Sequence, residues 1–430
     1  MLCLHPAGLL LSLVLGGPHA AFPEFHDVTA RSGVDFVHTG GSRAKDFIVE
    51  VNGSGVVLFD ADGDGDLDLY FANGSLLDLP AGEPPPRDAL YRNQGGLRFS
   101  DVTRAAGLGD AGWSCGAAAA DVDNDGDQDL FVANLGPDVL YLNRGDGTFE
   151  ERQGSGAEDP RWGASASFGD VDGDGLVDLY VANYLEFDRA RVRRKGEGQS
   201  CTYKGFPVFC GPGGLPPARD GFYLNLGGGR FREAGAEWGL DGVAPAYALG
   251  VLFVDVNRDR RPDIFVANDT MANVLLLNQG GKRFLDAGLY LGLAYNEYGT
   301  PQASMGVAAG DARGAGREDI FITNYEDDTN TYHRAEEDGF FTDATWASGL
   351  GEPSYKRLGW GTFFFDADLD GRLDLFVANG HLMPEADRMR SSPGYRQTCQ
   401  LFRGDGTGRF EELSGRAGPG LAVRRSFRGA

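Results

Sequence analysis

The chain has 430 residues, with 63 acidic against 39 basic side chains and a net charge of −24. That balance repels nucleic acid and anionic membrane surfaces and argues against both as partners. The 66 glycines follow no collagen period and punctuate loops and hairpins instead.

Residues 1–21 come first, with an apolar core from Leu9 to Leu15 and the small residues Ala20 and Ala21 behind it. This is the pattern of a secretory leader, although no Lys or Arg precedes the core. No other stretch is apolar for long enough to give a membrane-spanning helix. A secreted or extracellular location is therefore expected, periplasmic or cell-surface if the source is bacterial. Loss of the leader removes Cys3 and leaves Cys115, Cys201, Cys210 and Cys399, an even set that permits disulfides in an exported chain. Cys201 and Cys210 are the expected local pair, and Cys115 the expected buried free thiol.

From residue 22 to 430 one pattern recurs. Aspartates stand at alternate positions around a glycine, followed by an apolar run ending in asparagine, and the copies start at Asp60, Asp121, Asp170, Asp255, Asp311 and Asp366. Alternate carboxylates on a tight loop gather hard oxygens around one cation, and glycine at the sixth position allows the sharp turn; this is calcium chemistry. An EF-hand would need a bidentate Glu at position 12 between helices. Position 12 is instead Phe71, Val132, Val181, Val266, Ile322 and Val377. The last carboxylate comes at position nine and leads into a β-branched and aromatic strand.

The starts are spaced by 61, 49, 85, 56 and 55 residues. Within each unit a small apolar run, the loop, a strand and a second hairpin follow in order. Four short strands repeated at about fifty residues predict an all-β propeller of four-stranded blades. A phenylalanine strand occurs seven times, beginning at Phe25, whereas the aspartate loop occurs six times. The expectation is six full blades plus an orphan N-terminal strand. The final SFRGA lies in phase with Trp113–Ala117, which predicts a sequence truncated before a seventh loop.

The DxDxDGxxDLxxAN units, with LYxNxGxGxFxDVTxxAGL between them, resemble the FG-GAP/VCBS-type repeats of integrin-α-like propellers. The segments CGPGGLPPARD at 210–220 and VANGHLMPE at 377–385 are similar to the cartilage acidic protein family, the ASPIC/UnbV group. The resemblance covers residues 22 to 430 and implies a calcium-bound propeller. Family members carry a further C-terminal ASPIC/UnbV domain, which these residues do not include.

Positions 1, 3, 5 and 9 are the expected side-chain ligands, and position 7 supplies a backbone carbonyl. Four loops are complete: Asp60, Asp62, Asp64, Asp66 and Asp68; Asp121, Asp123, Asp125, Asp127 and Asp129; Asp170, Asp172, Asp174, Leu176 and Asp178; and Asp366, Asp368, Asp370, Arg372 and Asp374. The fourth in chain order keeps Asp255, Asn257, Asp259 and Asp263 but has Arg260 where glycine belongs, so weaker binding is expected. The fifth has Arg313 and Ala315 at positions 3 and 5. Its guanidinium is expected to take the cation's place. The asparagines closing each copy (Asn73, Asn134, Asn183, Asn268, Asn324, Asn379) read as turn caps.

Several motifs invite a catalytic or adhesive reading. Gly112–Gly116 matches GxSxG, but it enters a strand rather than a strand-to-helix turn. Arg144-Gly145-Asp146 and Arg403-Gly404-Asp405 fall at hairpin turns. Asn52, Asn73 and Asn268 head glycosylation sequons. His381 follows the sixth loop and is the histidine most expected to matter, with a satisfied structural role favoured over a ligand or acid/base. The one large insertion, 186–220, is basic and aromatic, and a partner site there is weighed equally against a solvated loop. With no nucleophile–base pair, the expected function is binding, as an adhesion, matrix or cell-envelope scaffold contacting an unidentified extracellular protein or glycan. Carbohydrate recognition and an enzyme at the central channel are the alternatives.

Overall fold

A computed structural model describes residues 22–198 and 201–430. The expected leader, residues 1–21, lies outside them. Six antiparallel four-stranded sheets form the blades of a β-propeller. Blade 2 is representative, with strands Ser114–Ala120, Asp129–Asn134, Val139–Asn143 and Phe149–Glu151. The other blades begin at Val56, Gly163, Ala248, Val307 and Gly359. In blade 2 the first two strands pair from Ala120↔Asp129 outward, so the aspartate loop is the hairpin that joins them. The helices among the described residues are single turns such as Thr29–Ser32.

The core lies between blades because side chains alternate along each strand. Leu130 and Val132 pack toward blade 1, beside Phe59, Tyr70 and Leu90. Phe131 and Ala133 face the other way, beside Leu179, Val181 and Tyr223 of blade 3. Both faces are buried, which is why the second strand reads as a continuous apolar run. Burying one such side chain contributes about 1.5–3 kcal/mol, and no blade can bury its own faces alone.

A second contact links the outer strands. Gly107 has φ +75°, and a Cβ there would sit 2.6 Å from the Phe149 carbonyl oxygen, so both the conformation and the approach require glycine. The Phe149 N–H donates to Ala106 O at 2.7 Å, and the Phe25 N–H donates to Ala417 O at 2.7 Å in the same way. The N-terminal segment thus takes the outer position beyond blade 6. It does so as extended chain without a ladder partner, where the sequence predicts a strand. On the inside, the Gly361 N–H donates to Arg428 O at 2.7 Å, just as Gly55 of blade 1 donates to Cys115 of blade 2 at 3.0 Å. Residues 426–430 therefore line the channel between blades 6 and 1.

Candidate calcium sites

The six aspartate loops share one hydrogen-bond frame. The first aspartate accepts from the N–H groups of positions 5 and 6: Asp125 and Gly126 reach Asp121 at 3.1 and 3.0 Å. Ala315 and Gly316 reach Asp311 at 2.8 and 2.7 Å. The turn forms equally in the loop that lacks ligands. The position-nine aspartate is a staple: Asp129 accepts from Val122 N at 2.9 Å and Asn143 N at 2.8 Å. Asp178 bonds Val171 and Asn225 likewise at 3.1 and 2.9 Å.

Within this frame the carboxylates of positions 1, 3 and 9 converge in four loops: Asp60, Asp62 and Asp68; Asp121, Asp123 and Asp129; Asp170, Asp172 and Asp178; Asp366, Asp368 and Asp374. In each group one oxygen per residue lies within 4.8 Å of the others. Three such oxygens can share one calcium ion at about 2.4 Å. A second observation fits a cation. Asp62 Oδ1, Asp123 Oδ1 and Asp368 Oδ1 are buried and have no hydrogen-bond partner, a state that costs about 1–3 kcal/mol when nothing fills it.

Electrostatics agree. Burial pushes the Asp129 and Asp178 carboxyls up to about 7, and burial together with neighbouring carboxylates raises Asp123 and Asp172. A divalent cation would reverse these shifts by favouring the charged form. The position-five aspartates Asp64, Asp125, Asp174 and Asp370 stand outside the four groups. Each turns one oxygen to the N–H of position 7, as Asp127 N to Asp125 Oδ1 at 3.1 Å. Position 7 itself, Asp66, Asp127, Leu176 or Arg372, keeps its backbone carbonyl on the loop.

The two defective loops differ from each other. In the fifth, Arg313 lies on Asp319, Nη2 to Oδ1 at 3.0 Å and Nε to Oδ2 at 3.3 Å. In the fourth, Arg260 adopts φ +68°, and the cation beside the loop is its neighbour Arg261. The Arg261 guanidinium pairs with Asp259, while Asn257 Nδ2 donates to Asp259 Oδ2 at 2.8 Å. Asp255, Asp259 and Asp263 do not form a group of the kind found in the other four.

Two further arginines were not foreseen. Arg92 Nε stands 2.9 Å from Asp62 Oδ2, out of hydrogen-bond alignment. Arg403 Nη2 stands 2.7 Å from Asp368 and 3.3 Å from Asp370. Both come from third strands, where blades 2, 3 and 4 carry Leu142, Leu224 and Leu277. That column was the available signal. The loops at Asp121 and Asp170 are free of such a competitor.

Family comparison identifies the motif. Part of the chain matches FG-GAP-like repeats. The match covers residues 60–132, 121–181 and 255–322. No curated protein matches the sequence significantly. Among solved structures, an Agrocybe aegerita lectin, described by its specific recognition of non-reducing terminal N-acetylglucosamine, aligns at 15% identity and TM-score 0.46, covering 86% of this chain and 82% of its own. The V. cholerae biofilm matrix protein Bap1 aligns at 14% and TM-score 0.34, over 68% of this chain and 38% of its own. Rhamnogalacturonan lyase YesW aligns at 13% and TM-score 0.35, over 84% and 68%. Likenesses this distant say nothing about what this chain binds.

The remaining motifs have plain structural places. Ser114 is buried on an inner strand and donates to Asp88 Oδ2 at 2.9 Å. Asp146 caps Thr148, and Arg144 pairs with Glu150 at 2.5 Å. Asn52, Asn73 and Asn268 are all buried, so a glycan would have nowhere to emerge. His381 is fully buried; its Nδ1 accepts from Met383 N at 3.0 Å and its Nε2 faces Glu326 at 3.4 Å.

Cys201 and Cys210 form a disulfide, and Cys115 and Cys399 are buried free thiols. Four of the insertion's cations pair with other parts of the molecule: Arg189 with Asp78, Arg194 with Asp46, Lys195 with Glu385, and Lys204 with Glu326 and Asp327. They tie the loop across blades 1, 5 and 6.

Proposed function

We propose that the protein is an exported, calcium-stabilised propeller that works by binding, as an adhesion, matrix or cell-envelope scaffold, and that it is not an enzyme. On this reading it belongs with the cartilage acidic protein family, and the ions occupy the loops at Asp60, Asp121, Asp170 and Asp366, more weakly at Asp255. The observation that carries the proposal is the set of four carboxylate groups in phase around the ring, each with its staple aspartate inside the fold. Calcium bound there stabilises the folded ring by mass action, about 2.7 kcal/mol per site at a hundredfold excess over Kd. The Cys201–Cys210 bond fits an oxidising compartment, and no helix among the described residues is long and apolar enough to cross a membrane.

Thermal melting with calcium and with chelator tests the metal half. Chelator should lower Tm sharply, and an identical melt in both would refute it. Solid-phase binding to extracellular matrix proteins and a glycan array test the other half. Capture of a defined protein supports the scaffold reading, saturable binding of one glycan would move the assignment to a lectin, and turnover of a substrate would overturn the non-enzymatic claim.

A further inference from the structure

The repeat separates scaffold from site. The terminal asparagine is the same in all six blades, but the residue after it changes: Gly74, Leu135, Tyr184, Asp269, Tyr325 and Gly380. Three of these, Tyr184, Asp269 and Tyr325, line one cavity of about 410 Å³. It sits at the end of the channel opposite the aspartate loops, since the second strands run from those loops to this end. Leu249, Met305 and Trp360 of the inner ring contribute to its wall. Val208 and Phe209 of the disulfide-stapled insertion cover it.

Thr202, Thr270, Gln302 and Asp328 also line the mainly apolar cavity, and three polar groups, Asn52, Tyr184 and Asp269, converge at one point of it. The Tyr184 hydroxyl donates to Asp269 Oδ2 at 2.6 Å. Among the described residues no other side chain is seen to bond that carboxylate, and burial pushes it up to about 6. Asn52, 8% exposed, faces the same Tyr184 hydroxyl, yet its Nδ2 makes no hydrogen bond of good geometry. An acceptor with spare capacity and an unmet donor therefore stand side by side. A hydroxyl group answers both at once, donating to Asp269 and accepting from Asn52. An ammonium answers only the acceptor.

We propose that this cavity binds a small alcohol or phenol, its apolar body against the inner-strand side chains and its hydroxyl bridging Asn52 and Asp269. The size lies within the usual range for small-molecule sites, and the lining matches them in being mainly apolar with a few convergent polar groups.

The test uses the full chain in calcium and three probes of one shape: 2-phenylethanol, 2-phenylethylamine and propylbenzene. Affinities are measured by saturation-transfer NMR titration. 2-Phenylethanol should bind at least ~10-fold tighter than either other probe. Asp269→Leu places at this register the residue type that blade 2 carries as Leu135, so the fold has a precedent. It should erase the preference for the alcohol while leaving propylbenzene affinity within about twofold, and Asn52→Ala should do the same. If either variant fails to fold, the three wild-type affinities decide. Equal affinities, a tightest amine, no saturable binding of any probe, or a folded variant with unchanged alcohol affinity would each overturn the proposal.

Discussion

In the loop at Asp121, Asp123 and Asp129 both stand within reach of one cation, yet they are held differently. Asp129 accepts two backbone N–H groups, whereas Asp123 Oδ1 is buried without a partner. Asp123→Ala should therefore lower Tm in calcium and leave Tm in chelator almost unchanged. Asp129→Ala should lower both, by about 2–4 kcal/mol in chelator, because it orphans two buried donors. Paired melts check this; an equal response of the two variants in chelator would contradict it. Arg403 poses a related question, since its guanidinium stands on Asp368 and Asp370. On the proposed calcium reading the ion would displace it, so Arg403→Leu should tighten binding at the sixth loop severalfold. Calorimetric titration resolves that, and weaker binding in the variant would show that the arginine supports the site.

The turn between the second and third strands shows how an element is built from one donor set. In every blade the terminal asparagine donates through Nδ2 to the backbone of the next turn, as Asn134 to Pro137 O at 3.0 Å and Asn268 to Ala272 O at 2.8 Å. Its own N–H is accepted by Asp138 in blade 2 at 2.8 Å, but by Asn273 in blade 4 at 2.9 Å and Asn330 in blade 5 at 2.8 Å. Asp138 is 1% exposed, and its Oδ2 has no partner. Burial holds its carboxyl well above the usual range. A raised folded pKa means that the acid contributes stability below its unfolded pKa of about 4, lost as pH climbs through the folded value. Asp138→Asn, the residue type of blades 4 and 5, should flatten that loss and add about 1–3 kcal/mol at pH 8. Urea unfolding at pH 5 and pH 8 tests it; a variant weaker than wild type at pH 8 would be the wrong sign.

At the scale of the whole ring, closure depends on chain ends that belong to no sheet. Arg428 donates to Val51 O at 3.1 Å on the blade 1 side and to Gly380 O at 3.2 Å on blade 6, and stacks 4.5 Å from the Trp360 ring centroid. Arg428→Met keeps most of the length but abandons those carbonyls, and should cost about 2–4 kcal/mol. A urea midpoint equal to that of the wild type would show that the closure is not held there.

Much of the fold was legible because its physics is periodic. Alternating carboxylates, the position-six glycines, the β-branched second strand and the closing asparagine repeat in phase, so the sequence alone determined six blades and the places of their loops. Tertiary structure decided what depends on neighbours from distant positions. Arg92 and Arg403 lie near loops more than twenty residues away, and a positive φ at Arg260 leaves Arg261 as the residue that reaches Asp259. Four of the insertion's basic residues, Arg189, Arg194, Lys195 and Lys204, found acids on blades 1, 5 and 6. The cavity beneath it gathers Asn52, Tyr184 and Asp269 from three separate stretches. Local spacing determines a repeat because each copy solves the same short-range problem; which side chains share a cavity is set only when the ring closes and brings unrelated positions together.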